Sequence, residues 1–148
     1  MQIKNKKQIY SDGSKLKAGI VVARFNSEIT DKLLKNALQV LKKCKVRPGN
    51  IRVVSVAGSV EVPFALHKLA KLKKYNFLVA LGCIIHGDTP HFDYVCKMAQ
   101  EGVLEVMLED EGMPIGFGIL TVNNIKQAKA RMRVGGEAAL AALELALM

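Results

Sequence analysis

Tryptophan is absent from the 148 residues, and aromatic side chains make up only 5% of them. That scarcity bears on the charge, because 22 Lys and Arg stand against 13 Asp and Glu, a net +9. Surfaces that bind single-stranded RNA stack bases on aromatics, and no RNA-binding aromatic motif occurs here. The lysines are dispersed, with several before residue 18, several around Lys42–Lys45 and four between Lys68 and Lys74. Solvated helix faces account for such a distribution. Nucleic acid is therefore not the expected partner, and the charge is expected to favour the approach of anionic metabolites.

Long apolar runs are missing as well. No segment approaches the roughly 18 residues of a membrane span. The lysines of the first residues are followed by no apolar core, so no secretory signal is expected. Cysteine is sparse, and Cys44, Cys83 and Cys96 form an odd set without CxxC spacing. Reduced thiols in a cytoplasmic protein are expected, with neither a disulfide framework nor a zinc site. Neither GxGxxG nor a Walker loop is present, which removes the usual signals of a nucleotide-binding domain. With half its residues hydrophobic and no linker-like stretch, the chain reads as one domain with a substantial core.

What is present is a strand–helix alternation repeated four times. Ala18–Ala23, Ile51–Ala57, Phe77–Leu81 and Ile115–Thr121 are short apolar runs with the character of buried strands. Between Glu28 and Lys45 the residues Ile29, Leu33, Leu34, Ala37, Leu38, Leu41 and Cys44 recur at helical spacing. Asn26 or Ser27 can cap that helix, and Pro48-Gly49 ends the segment. Further helices are expected over 63–74, over 90–110 and from Asn124 through Arg133, with Gly135-Gly136 as a break before a last helix over 137–148. Continuous apolar strands with helical crossovers indicate a parallel sheet covered on both faces, a three-layer α/β/α sandwich. The last helix is apolar nearly all round, more than one sheet face covers, which predicts a subunit interface. Residues 1–17 are expected to form a basic arm, flexible or contacting a neighbour, ahead of a single domain over 18–148.

Ligands of such sheets bind beyond the carboxyl ends of the strands, so the segments after each strand carry the functional expectation. The most informative is Gly82–Tyr94. Its strand end, its small-residue turn Gly87-Asp88-Thr89 and a helix start with Thr89 as cap and Pro90 first in the helix form an anion cradle. His91 lies in the first helical turn. An imidazole beside an anion cradle suits proton transfer on a phosphorylated substrate.

Several segments together give the chain a family resemblance. Ala23–Asn26, Val56–Pro63, Ala80–Tyr94, Ile115–Thr121 and Gly136–Glu144 resemble, in order and spacing, 6,7-dimethyl-8-ribityllumazine synthases of riboflavin biosynthesis. The resemblance implies a flavodoxin-like fold with a four-stranded parallel sheet and a transferase that uses no metal and no cofactor. Its two substrates would be 5-amino-6-(D-ribitylamino)uracil and 3,4-dihydroxy-2-butanone 4-phosphate, condensed with loss of phosphate and water. It also implies a homo-oligomer, a pentamer or twelve pentamers in a hollow icosahedral shell, with sites between subunits.

Residue by residue, the resemblance gives His91 the proton-transferring role, where otherwise it is a helix-surface histidine. Asp88, Thr89 and Arg131 would hold the phosphate; without the family the first two are an ordinary cap and the third a surface arginine. Phe25 would stack on the pyrimidine, its alternative being core packing. Ser59, Val60 and Glu61 would bind the polar substrate or simply start a helix, and Cys83, Ile84 and Ile85 would line the pocket through their backbone. Phe117 would reach a neighbour's site or pack on the sheet. Two departures stand out. His86 occupies a position that usually carries a permanent cation, and the segment Met132–Gly136 lacks several residues of a Gly- and Lys-containing loop. Arg133 is thus an alternative to Arg131, and a catalytically impaired shell-forming or flavin-binding scaffold is the alternative function.

Overall fold

A computed structural model describes residues 9–148. Its sheet has four parallel strands, β1 (Ala18–Ala23), β2 (Ile51–Val56), β3 (Phe77–Ile85) and β4 (Ile115–Val122), in the order β2-β1-β3-β4. β1 pairs with β2 from Ala18–Ile51 to Ala23–Val56, and with β3 from Ala18–Phe77 to Val22–Leu81. Five α-helices connect and cover the strands: α1 (Ser27–Lys43), α2 (Val62–Lys71), α3 (His91–Leu108), α4 (Ile125–Lys129) and α5 (Val134–Ala146).

Two separate cores give the three expected layers. On one face Ile29, Leu33, Ala37 and Leu41 of α1 meet Ala138, Ala139, Ala142 and Leu143 of α5 over Ile20, Val22, Val79 and Leu81. On the other, Val62, Leu66 and Leu69 of α2 join Ala99, Val103 and Val106 of α3 over Val21, Leu78, Ala80 and Ile119. The central strands β1 and β3 are buried on both faces, as their unbroken apolar runs require. β2 is an edge strand and exposes Arg52, Val53 and Ser55. Each fully buried Leu or Ile contributes about 1.5–3 kcal/mol of transfer free energy.

Several boundaries differ from the sequence reading. β3 runs four residues past Leu81, because β4 continues to pair with it through Ile85–Val122. α3 starts at His91, so Pro90 is its cap position and Thr89 lies outside; the Thr89 hydroxyl accepts only a long 3.4 Å bond from the His91 N–H. Asn26 occupies the cap position of α1 without a side-chain cap bond, whereas Asn124 does cap α4 by accepting from the Gln127 N–H at 2.9 Å. α4 stops at Lys129.

Gly135-Gly136 is not a break, because both residues lie in the first turn of α5. They are small because α5 presses on α1 there. A Cβ on Gly135 would collide with the Leu33 carbonyl, and one on Gly136 would lie 2.6 Å from Val40 Cγ2. The same closeness answers the expectation about the last helix. Gly135, Gly136, Ala138, Ala139, Leu140, Ala142 and Leu143 are buried within the chain itself, since α1 flanks α5 while the sheet lies beneath it. The apolar stripe of α5 is covered, so its apolarity is no ground for a subunit interface. At its C-terminal end α5 leaves Leu145 and the following Leu147 exposed, and other uncovered large apolar side chains lie on α3 (Tyr94, Met98, Leu104, Leu108) and at Phe25, Phe64 and Phe117.

Of the expected arm, residues 1–8 fall outside the described residues. The later part is tied to the body of the domain. Gly13 N–H donates to the Cys44 carbonyl at 2.7 Å, and Lys17 exchanges bonds with Asn76 at 2.7 and 2.8 Å.

Gly135→Ala should therefore destabilise the protein by about 1–3 kcal/mol, the usual cost of forcing atoms into a packed site. Gly49→Ala is the control, since a Cβ there meets nothing within 4 Å. Urea midpoints test the pair, and equal midpoints would refute the close-approach account.

Candidate active site

The loops after β1, β2 and β3 converge on a cleft of about 550 Å³ at the carboxyl edge of the sheet. Strand order reverses between β1 and β3, and open parallel sheets place their ligand crevice at such a point. The volume lies within the range of small-molecule sites.

Each wall has a local cause. Beyond β1 the chain turns sharply at Asn26, whose φ of 61° is left-handed, and this leaves Phe25 72% exposed at the cleft. Asn tolerates that conformation better than most residues. The Arg24 and Phe25 N–H groups donate to the Val56 and Ala57 carbonyls at 2.8 and 2.9 Å, so the loops after β1 and β2 are zipped together. After β2, Glu61 N–H donates to Gly58 O at 3.1 Å and Val62 N–H to Ser59 O at 3.3 Å. That tight turn exposes Glu61 and buries Ser59. Ser59 sits directly over β3, where a Cβ on Gly82 would strike its hydroxyl.

β3 supplies Cys83, Ile84 and Ile85, and the turn after it supplies Gly87 and Thr89. His91, the first residue of α3, adds an exposed imidazole. The positive end of the α3 dipole faces the same turn, so an anion can be held there. His86 lies just outside, its ring tilted against that of Phe92 at 4.9 Å.

Nine of the twelve residues expected from the sequence thus line one cleft: Phe25, Ser59, Val60, Glu61, Cys83, Ile84, Ile85, Thr89 and His91. Three do not. Asp88 is in the turn but exposed outside the lining. Phe117 sits in the middle of β4, opposite Ala80 and 44% exposed. Arg131, just beyond α4, folds back to donate to the Gln127 carbonyl at 3.0 Å. Arg133 is also outside, its Nε 3.3 Å from Glu137 Oε1. Among the described residues no Lys or Arg lines the cleft.

Gly87 of the expected anion cradle also lines the cleft, whereas sequence reasoning passed over Ala57, Gly58, Phe92 and Val95. The last two were findable, because positions 91, 92 and 95 share a helix face. Asn26 was read as a cap. Instead its Nδ2 donates to the Cys83 carbonyl at 2.7 Å.

Burial pushes the Cys83 thiol up to about 11, which leaves it neutral and unreactive at physiological pH. Burial also raises Cys44 and Cys96, and all three cysteines are free thiols. Among the described residues no cluster of three or more His, Cys, Asp or Glu could hold a metal ion, and no helix is long and apolar enough to cross a membrane. A second cavity, about 300 Å³, opens at the other end of the sheet. Its polar groups pair with one another: His67 Nδ1 is 3.3 Å from Glu109, and Lys71 Nζ is 2.8 Å from Asp110.

A family model described as 6,7-dimethyl-8-ribityllumazine synthase matches residues 15–148.

The raised Cys83 thiol carries a pH dependence. The unfolded thiol ionises near 9 and the folded one near 11, so the unfolded state loses its proton first. Folding stability should fall as pH rises through that window. Cys83→Ala should flatten the decline measured by urea unfolding between pH 8 and pH 11. An identical slope in the variant would show that Cys83 is not its source.

Proposed function

The chain belongs to the 6,7-dimethyl-8-ribityllumazine synthase family, and on that premise we propose that it catalyses the lumazine-forming condensation. 5-Amino-6-(D-ribitylamino)uracil would react with 3,4-dihydroxy-2-butanone 4-phosphate in the cytoplasm. The single observation that carries this reading is the gathering of Phe25, Ser59–Glu61, Cys83–Ile85, Thr89 and His91 around one cleft.

The roles follow from what each group can do. The pyrimidine lies against the Phe25 ring, with its polar edge on the Ser59 hydroxyl, the Glu61 carboxylate and the β3 backbone. The phosphate sits on the turn from Gly87 to Thr89 at the start of α3, where free N–H groups accommodate an anion. The substrate amine attacks the ketone and water leaves to give an imine. Proton removal from carbon and departure of phosphate follow, then ring closure and loss of a second water. Each step needs a proton given or taken beside the reacting atoms, and His91 is the titratable base at the phosphate end of the cleft. Cys83 stays a neutral thiol and takes no covalent part.

Among the described residues no permanent positive charge for the leaving phosphate lines the cleft of a single chain. Phe117 on β4 and Arg131 just beyond α4 are exposed and outside the cleft of their own chain, which favours a second copy supplying them within a homo-oligomer, a pentamer or a shell of pentamers. The uncovered apolar side chains of α3 favour such an assembly.

Incubation of the purified protein with both substrates should raise the lumazine absorbance and release phosphate in equal amounts. Folded protein giving no product above the uncatalysed rate would sink the enzyme and leave a scaffold of the same fold. His91→Ala should lower kcat about 10²–10⁴-fold, the range of general acid–base contributions, without changing the assembly mass measured in solution. Full turnover in that variant would remove His91 from proton transfer. Arg131→Ala should raise the KM of the ketone phosphate. If Arg133→Ala raises it instead, Arg133 is the phosphate ligand.

A further inference from the structure

We propose that Asn26 is a positioning residue that sets the width of the aminouracil half of the cleft by tying the Phe25 loop to the end of β3. The role rests on the reading above, in which the pyrimidine lies between Phe25 and the β3 backbone.

β1 stops pairing with β3 at Val22–Leu81, whereas β3 continues to Ile85 against β4 alone. Beyond Leu81, the edge of β3 that faced β1 has therefore lost its ladder partner. Buried backbone carbonyls need a donor. The Cys83 carbonyl finds one in Asn26 Nδ2, at 2.7 Å and 57 residues away in sequence. An Asn at a helix start ordinarily turns its side-chain oxygen onto the first N–H groups. Here α1 starts without that bond; the Asn26 main-chain carbonyl receives the Ile29 and Thr30 N–H groups at 2.9 and 3.0 Å. The amide is thereby free to reach across to β3.

Both halves of the geometry require Asn. The left-handed φ of 61° turns the chain out of the sheet right after Phe25, and a short amide supplies the donor. Phe25 is then held from two sides. Its own N–H is fixed to Ala57 on the β2 side, and the next residue is fixed to Cys83 on the β3 side. Cutting the second link lets the ring drift from Cys83, Ile84 and Ile85 while the phosphate turn, Gly87–Thr89, stays in place.

Asn26→Gly keeps the left-handed turn and removes the link. Asn26→Asp keeps the turn but sets a carboxylate oxygen against the Cys83 carbonyl. Each variant should raise the KM of the aminouracil about tenfold, in line with the loss of one buried hydrogen bond. The KM of the ketone phosphate and kcat should stay within about twofold, the pattern of lost binding common to ground and transition states. Native-state hydrogen exchange should quicken at the Phe25 N–H in both variants, with the thermal midpoint little changed. Unchanged aminouracil KM in an active protein, or equal rises for both substrates, would overturn the positioning role. If the wild-type protein makes no lumazine, the function proposed above fails by itself. Hydrogen exchange then decides the link alone, and unchanged protection of the Phe25 N–H in Asn26→Gly would overturn it.

Discussion

The pairing of β1 with β2 on one side and β3 on the other, all three parallel, determines where anything can bind. The chain winds outward from β1 in both directions, with α1 on one face and α2 and α3 on the other. Loops that leave adjacent strands toward opposite faces open a crevice between them. The Phe25–Asn26 loop and the Gly87–Thr89 turn are those two loops. Take β1 out of the centre and they no longer face each other. Glycine helps hold the frame at this spacing: Gly116 and Gly135 admit the Ala138 and Leu33 backbones so closely that no side chain fits.

The cleft is chemically spare. Among the described residues it holds one carboxylate, one imidazole, a neutral thiol and a set of backbone groups at strand and helix ends. Backbone N–H groups bring partial positive charge without a titratable group, which leaves the His91 imidazole as the proton-transferring side chain of the proposed reaction. Much of the permanent cationic charge sits across the sheet, on α1 and α4, where Lys32, Lys35, Lys42, Lys126 and Lys129 are exposed.

Most of the architecture was legible because period and punctuation agreed. Apolar runs marked β1, β3 and β4, and the recurrence from Ile29 to Leu41 marked the buried face of α1. Nine cleft residues were legible because they follow strands, where parallel topology forces them together. The misses have a common cause, which is that a local cue was answered by a distant partner. Asn26 looks like a cap until the loss of β1 pairing next to Cys83 is known. Gly135-Gly136 looks like a break until α1 is laid beside it. The last helix looks too apolar for one chain until two layers of that chain are seen to cover it. Phe117 and Arg131 are a different case, since nothing local says whether their partners belong to the same copy.

The link from Asn26 to Cys83 spans 57 residues, and no short fragment of the chain contains both ends. β1 must pair with both β2 and β3 across whole crossovers before all the walls of the cleft meet. Such long-range parallel pairings are slow to form. A chain halted between β2 and β3 carries Phe25 and Ser59 without the β3 floor, so the cleft is complete only once β3 has joined the sheet. Completion of the central sheet and appearance of the binding site are the same event in time.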